Sequence, residues 1–216
     1  MRRIADTLPP KVPEAEVTAQ KLFPSFVGKD DVVVEVGADI GGGTLVLSRL
    51  SKQVYAFEPN PYAFSKLQHA TRRKRNVQIL NLGAGATEET IRLKLPQLAN
   101  MPRGSRTAPV RLVKLDDMKF GLAPSCLVID CGGSELDVLK GAEGYFKSQA
   151  IWTVLVKTYQ FGETDTMSKS TMWLLDHGLK THTRGAADGS IWIVARASKR
   201  IVRRENSSAE AVHVPP

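Results

Sequence analysis

Cysteine is scarce in this 216-residue chain, which contains only two. Two thiols cannot staple a domain of this length, and such sparse use suits a reducing compartment. Long apolar runs are absent too: no stretch approaches the roughly 18 apolar residues that a membrane-spanning helix needs. The opening Met1-Arg2-Arg3-Ile4-Ala5-Asp6 carries positive charge but leads into no apolar core, so a secretory signal is not expected. The four histidines (His69, His177, His182, His213) show no metal-ligand spacing with the cysteines or with one another. No internal repeat is visible. These absences exclude a disulfide scaffold and a helical membrane protein, and the expectation is a cytoplasmic chain.

What is present fits one globular domain with loose ends. The chain is 42% apolar and 24% charged, too apolar for a disordered protein. Its net charge of +8 looks like a nucleic-acid signal, but the excess is confined to two patches. One is the run 66–75, with Lys66, Arg72, Arg73, Lys74, Arg75 and no acid; the other is the tail beyond Ala195. A solvated helix end and a tail explain this more simply than an RNA groove. The pattern predicts an N-terminal extension over 1–30 with a helix near Glu14–Phe23, a central domain over 31–197, and a basic tail over 198–216.

Strand and helix signals alternate through the central domain. Buried strands are predicted at Asp31–Val36, Gln53–Glu58, Asn76–Leu82, Cys126–Asp130 and Ile151–Val156, each rich in β-branched and other apolar residues. Helices are predicted at Thr44–Leu50, after the Asn60-Pro61 start signal, after Ser134 (with Asp137 completing a capping box), and over Ser168–His177. Gly178 closes the last of these. Residues 90–95 and 109–113 alternate apolar and polar, as half-exposed antiparallel strands do. The segment Pro96–Ala108 between them reads as a mobile loop. Leu179–Thr183 and Ile191–Ala195 suggest a closing hairpin. Five buried strands joined by helices imply a doubly wound, mostly parallel α/β sheet, whose ligands bind at the carboxyl ends of the strands.

Two features stand at those ends. The first is Glu35-Val36-Gly37-Ala38-Asp39-Ile40-Gly41-Gly42-Gly43-Thr44. A dinucleotide loop needs G-x-G-x-x-G, but counting from Gly37 puts Asp39 at the second glycine, and counting from Gly41 puts Val46 at the third. The spacing that fits is acidic-x-Gly-x-x-x-Gly, with Glu35, Gly37 and Gly41, the pattern of S-adenosylmethionine sites. The second feature is Glu58, seventeen residues beyond Gly41, where a carboxylate accepts hydrogen bonds from both ribose hydroxyls.

With these residues in view, the run from Val32 to Ala142 resembles the FkbM-type methyltransferases, a branch of the class I S-adenosylmethionine-dependent enzymes. The matching stretches are VEVGADIGGGT (Val34–Thr44), AFEPNPYAFSKL (Ala56–Leu67), VKLDDM (Val113–Met118) and VIDCGGSELDVLKGAE (Val128–Glu143). The resemblance implies a seven-stranded Rossmann-like sheet with an antiparallel final strand. It also implies methyl transfer, commonly to a hydroxyl of a sugar or other small molecule. It assigns Gly37, Ala38, Asp39 and Gly41 to the methionine portion of the cofactor, with Asp39 at a position where the family usually has Asn. Glu58 goes to the ribose with Pro59 and Asn60 shaping the turn, and Gly83 and Ala84 border the adenine.

Asp130 is expected to face the transfer centre as base or orienting group, with Glu135 as the second catalytic candidate and Asp116 and Asp117 behind it. Such an acidic group is able to hold Mg²⁺, though no clear metal motif is present. The family pattern Lys-Ile-Asp-Val-Glu-Gly appears here as Val128-Ile129-Asp130-Cys131-Gly132-Gly133, so a Lys and a Glu are missing. The alternatives are an RNA methyltransferase using the basic 66–75 segment, or a cofactor-binding relative with impaired catalysis. Lys157 and Tyr159, just past the fifth buried strand, are further candidates for the acceptor pocket. Cys126 and Cys131 are expected to point to opposite faces and stay unpaired.

Overall fold

Successive side chains of a strand point to opposite faces of a sheet, and the central strands here are buried on both. In the computed structural model, which describes residues 18–95, 107–158, 165–186 and 188–198, there are ten strands and six α-helices among those residues. The strands are β1 (Val32–Val36), β2 (Gln53–Phe57), β3 (Val77–Leu80), β4 (Gly83–Ala84), β5 (Glu89–Lys94), β6 (Thr107–Val113), β7 (Cys126–Ile129), β8 (Thr153–Thr158), β9 (Leu179–Gly185) and β10 (Ile191–Ala197). The helices are α1 (Ala19–Leu22), α2 (Gly42–Leu50), α3 (Pro61–Thr71), α4 (Glu135–Lys140), α5 (Glu143–Lys147) and α6 (Thr166–Asp176). Most of the expected Pro96–Ala108 loop, Tyr159, His213 and nearly all of the basic tail lie outside the described residues.

The main sheet has seven strands in the order β3-β2-β1-β7-β8-β10-β9. All neighbours are parallel except β10, which runs antiparallel to both β8 and β9. This is the doubly wound sheet with an antiparallel final strand that the sequence and the resemblance imply. Alternation sorts its apolar residues: Val32, Val34, Val36, Leu127, Ile129, Val154 and Val156 pack against α4, α5 and α6. Val33, Cys126, Val128, Leu155 and Trp192 pack on the other face with Phe23 and Leu47. The strand order reverses between β1 and β7, and such a switch point opens a crevice at the carboxyl ends.

A second sheet, β4-β6-β5, contains the two half-exposed strands, antiparallel as their alternation predicts, with Ile91 opposite Val110. Gly83-Ala84, expected to stop the third strand and border the adenine, forms a strand of its own, β4, parallel to β6.

The helix starts divide into one success and one correction. Asn60 caps α3 as expected, its Oδ1 accepting from Tyr62 N (3.0 Å) and Ala63 N (3.4 Å). Asn60→Ala is expected to lower stability by about 1 kcal/mol in chemical denaturation. The predicted Ser134–Asp137 box does not form: Ser134 makes no side-chain cap bond. Its φ of −106° and ψ of 18° lie outside the extended region in which a capping hydroxyl reaches the first-turn amides. The Glu135 carboxylate takes the Gly133 N–H at 2.7 Å instead.

Candidate active site at the switch point

The end of β1 is bent onto β2 by backbone bonds: Gly37 N and Ala38 N both donate to Phe57 O at 3.0 Å. Gly37 has φ +88°, and a Cβ there would stand 1.9 Å from Asp130 O, so only glycine lets β1 and β7 come this close. Asp39 follows at φ +49°, a left-handed conformation that Asp and Asn tolerate better than most residues. Gly41, at φ +97°, is the N-cap of α2.

Glu58 meets this bend directly. Its Oε2 accepts from Asp39 N and its Oε1 from Asn60 N, both at 2.8 Å, and the residue is 6% exposed. Burial pushes the carboxyl above its ordinary value, and the two amide bonds partly offset that rise. Asn81, which the sequence reading overlooked, braces the turn by donating from Nδ2 to Glu58 O (2.8 Å) and Pro59 O (3.2 Å). An Asn after a strand reads as a stop signal, and nothing local distinguishes a brace from one.

Two cavities flank the bend. One, of about 300 Å³, is bordered by Glu58, Pro59, Asn60, Gly83 and Ala84 and walled by Ile91, Leu93, Val110 and Leu112 of the small sheet. The other, of about 390 Å³, lies on the α2 face among Glu35, Gly43, Lys157, Asp188 and Trp192. Val36, Gly37, Asp39 and Asp130 line both. The alternation that buries Val33 on this face also puts Glu35 there, with Val128 opposite it on β7. On β8, Lys157 shares the face with Leu155 and is the register partner of Trp192.

Glu35 is 5% exposed and accepts from Thr44 Oγ1 at 2.6 Å. Burial, reinforced by the nearby Asp130 and Glu58 charges, pushes its carboxyl from 4.5 up to about 8. The folded chain thus keeps a proton that the unfolded chain has released above 4.5. Stability from the neutral carboxyl is full below pH 4.5 and is lost as the pH rises towards 8. Relative to Glu35→Gln, the wild type is expected to lose on the order of 1.4 kcal/mol per pH unit across that window, read from denaturation midpoints. Equal slopes in the two proteins would refute the burial argument.

Asp130, at the end of β7, is held by Val36 O, which accepts its N–H at 2.9 Å, and its Oδ2 lies 3.4 Å from Lys157 Nζ. Lys157 Nζ also lies 2.8 Å from Asp188 Oδ2. That pairing and the bond from Ser190 draw Asp188 down to about 2. The sequence reading named Lys157 but missed Asp188. Its signal was the Asp188-Gly189-Ser190 turn, in which the Asp carboxylate accepts from Ser190 N (3.1 Å) and Oγ (2.5 Å).

The other acidic candidates stand apart. Glu135 is 0% exposed and lines neither cavity. Its Oε1 serves the Gly132–Gly133 turn, and its Oε2 is buried with no partner among the described residues. Glu135 thus stands apart from the two spaces that Asp130 lines. Asp116 caps α5, accepting from Gly144 N (2.8 Å) and Tyr145 N (3.3 Å), and neither it nor Asp117 lines a cavity. Cys126 and Cys131 are both free thiols. Among the described residues no group of three or more His, Cys, Asp or Glu is arranged to hold a metal, and no helix is long and apolar enough to cross a membrane.

The family model described as the methyltransferase FkbM domain matches residues 35–180, which include the bend, Glu58, Asp130 and Lys157. The chain belongs to the FkbM methyltransferase family. No curated protein sequence matches it. Among solved structures it is similar to methyltransferase FkbM from Methylobacillus flagellatus KT, at 19% identity and a TM-score of 0.65. That match covers 84% of this chain and 48% of the other, so the chain spans about half the length of that relative. It is also similar to precorrin-6y C5,15-methyltransferase from Geobacter metallireducens GS-15 (18% identity, TM-score 0.56, 89% of this chain and 95% of that one). A third is Aeropyrum pernix fibrillarin, solved with natively bound S-adenosyl-L-methionine (12% identity, TM-score 0.51, 78% and 67%). At these identities the three likenesses show a shared Rossmann-like fold.

Proposed function

We propose that this FkbM-family chain is an S-adenosylmethionine-dependent methyltransferase acting on a hydroxyl of a sugar or another small molecule, with residues 31–197 as the catalytic unit. The observation that carries the reading is the Glu58 carboxylate, buried at the end of β2 and bonded to the amide of Asp39 in the glycine bend. The residues suit the cofactor. Glu58 offers acceptors for ribose hydroxyls, Pro59 and Asn60 shape its turn, and Gly83 and Ala84 border the same cavity, as an adenine pocket requires. Gly37, Ala38, Asp39, Gly41 and Glu35 surround the neighbouring space, where the methionine portion would lie; its ammonium suits the Glu35 carboxyl.

When bound, this cofactor supplies a methyl group on a sulfonium for in-line displacement by the acceptor oxygen. Asp130, which lines both cavities, would orient the acceptor hydroxyl and take its proton at a carboxylate oxygen. Lys157 anchors one oxygen of Asp130 and so fixes the carboxylate plane. Val128 and Gly132 suggest an impaired relative, but an ammonium does reach Asp130, from β8 instead of β7, and this supports a working site. The free thiols of Cys126 and Cys131 agree with a cytoplasmic location.

Calorimetry with S-adenosylmethionine and S-adenosylhomocysteine, followed by a methyl-release assay on sugar and metabolite pools, tests the reading. Binding of both with turnover on a hydroxyl compound is the expected result. Failure of either ligand to bind would overturn it, whereas binding without turnover on any pool would favour the impaired relative.

A further inference from the structure

The chain carries +8, yet its crevice is acidic. Among the described residues, the ionisable groups lining the larger cavity are Asp39, Asp130 and Asp188 together with Glu35, which keeps its proton up to about pH 8, against one ammonium, Lys157. That ammonium is 14% exposed and engaged by two of the carboxylates. Glu35 is 95% or more buried at this cavity, and its Oε1 has no hydrogen-bond partner among the described residues. The basic run is remote: α3 starts beside the site at Pro61, and its eleven residues carry the chain about 16 Å before Arg72–Arg75 begin. The 66–75 part of the basic excess therefore runs away from the site along one helix, and the charged groups lining the crevice have the opposite sign to the net charge of the chain.

We propose that the outer part of the larger cavity, bounded by Asp130, Lys157, Asp188 and the Trp192 ring, is the acceptor pocket, and that it takes a neutral or amine-bearing polyhydroxy compound while rejecting phosphorylated metabolites and nucleic acid. This rests on the methyltransferase reading above. The row Asp130 Oδ2, Lys157 Nζ, Asp188 Oδ2, with steps of 3.4 and 2.8 Å, alternates acceptor, donor, acceptor, which matches the proton and lone pair of neighbouring hydroxyls. Asp188 is held in place by Ser190 on the β9–β10 turn, and Trp192 gives the pocket an apolar floor behind Lys157, its ring 5.9 Å from the ammonium. The cofactor carries an ammonium, a sulfonium and a carboxylate, hence +1, which offsets only one of the cavity's negative charges. A phosphate entering beside Asp130 and Asp188 meets like charge, whereas an amine is attracted.

The test has two arms. Calorimetry with S-adenosylhomocysteine comes first; if it does not bind, the methyltransferase reading falls, whatever the second arm gives. In the second arm, the S-adenosylhomocysteine-loaded protein is titrated with glucose, glucosamine and glucose 6-phosphate, following the Trp192 indole N–H signal by NMR. Glucosamine and glucose are expected to shift the signal at least tenfold more tightly than the phosphate ester. Asp188→Asn keeps the oxygen that Ser190 uses but removes a charge; it should bring the ester within about threefold of glucose. Binding of the phosphate ester as tight as that of the sugars, or no response to any of the three, would overturn the proposal.

Discussion

Glu58→Gln is expected to weaken S-adenosylhomocysteine binding by about a hundredfold or more without unfolding the protein. The wild-type carboxylate accepts two backbone N–H groups, from Asp39 and Asn60, each at 2.8 Å. Hydrogen bonds to a charged group are worth about 1.5–3 kcal/mol each. An amide of the same shape can satisfy only one of those donors with its oxygen, and its NH₂ then faces the other. The bend and the α3 start lose their common tie, and a ribose hydroxyl loses its acceptor. A combined loss of about 3 kcal/mol is a little over a hundredfold in affinity. Calorimetry on both proteins, with circular dichroism to verify the fold, reads the effect. A change below about threefold would mean that Glu58 only holds the turn.

The largest stability effect is expected at Gly37. An alanine there would put its Cβ 1.9 Å from Asp130 O and 2.7 Å from the carbonyl carbon, at a φ of +88°. Relief by backbone movement is blocked on both sides. Asp130 N is tied to Val36 O at 2.9 Å, and Gly37 N is tied to Phe57 O at 3.0 Å. Gly37→Ala should therefore lower the unfolding free energy by about 3 kcal/mol or more, combining backbone strain with overpacking. Gly132→Ala is the control: φ is +67° but nothing lies within 4 Å of the added carbon, so only strain of about 1 kcal/mol is expected. Urea denaturation of the two variants separates clash from strain, and equal losses would show that the β1–β7 approach is not constrained.

Much of this arrangement was legible before any coordinates. The runs at Val32–Val36 and Cys126–Ile129 announced double burial because the second is apolar throughout and the first at every position but one. That exception, Glu35, reads as the acid of the cofactor pattern, but its surroundings do not follow from the spacing. Spacing alone cannot show that the carboxyl turns to the α2 face, meets Thr44 and lies opposite Val128, leaving it to burial and a raised affinity for its proton. The surroundings of Glu135 were equally hidden. An acid in the first turn of a helix beside Asp130 looks poised for catalysis, but the Gly132–Gly133 turn folds its carboxyl inwards. Asp116 likewise looks like a catalytic acid in the chain and proves to cap α5, twenty-eight residues away.

Local patterns fixed the strands of the main sheet, the Asn60 cap and the glycine bend, because period, capping and turn chemistry act over a few residues and are written in consecutive positions. The order β1-β7-β8-β10 was not written there. It arises from which apolar faces bury one another, and it alone brings Asp130, Lys157 and Asp188 to one wall of a cavity from three separate stretches of chain. The local charge of the crevice was hidden for the same reason: summing residues gives a basic protein, and only packing reveals that acids line the cavity while the basic run 72–75 begins a helix length away.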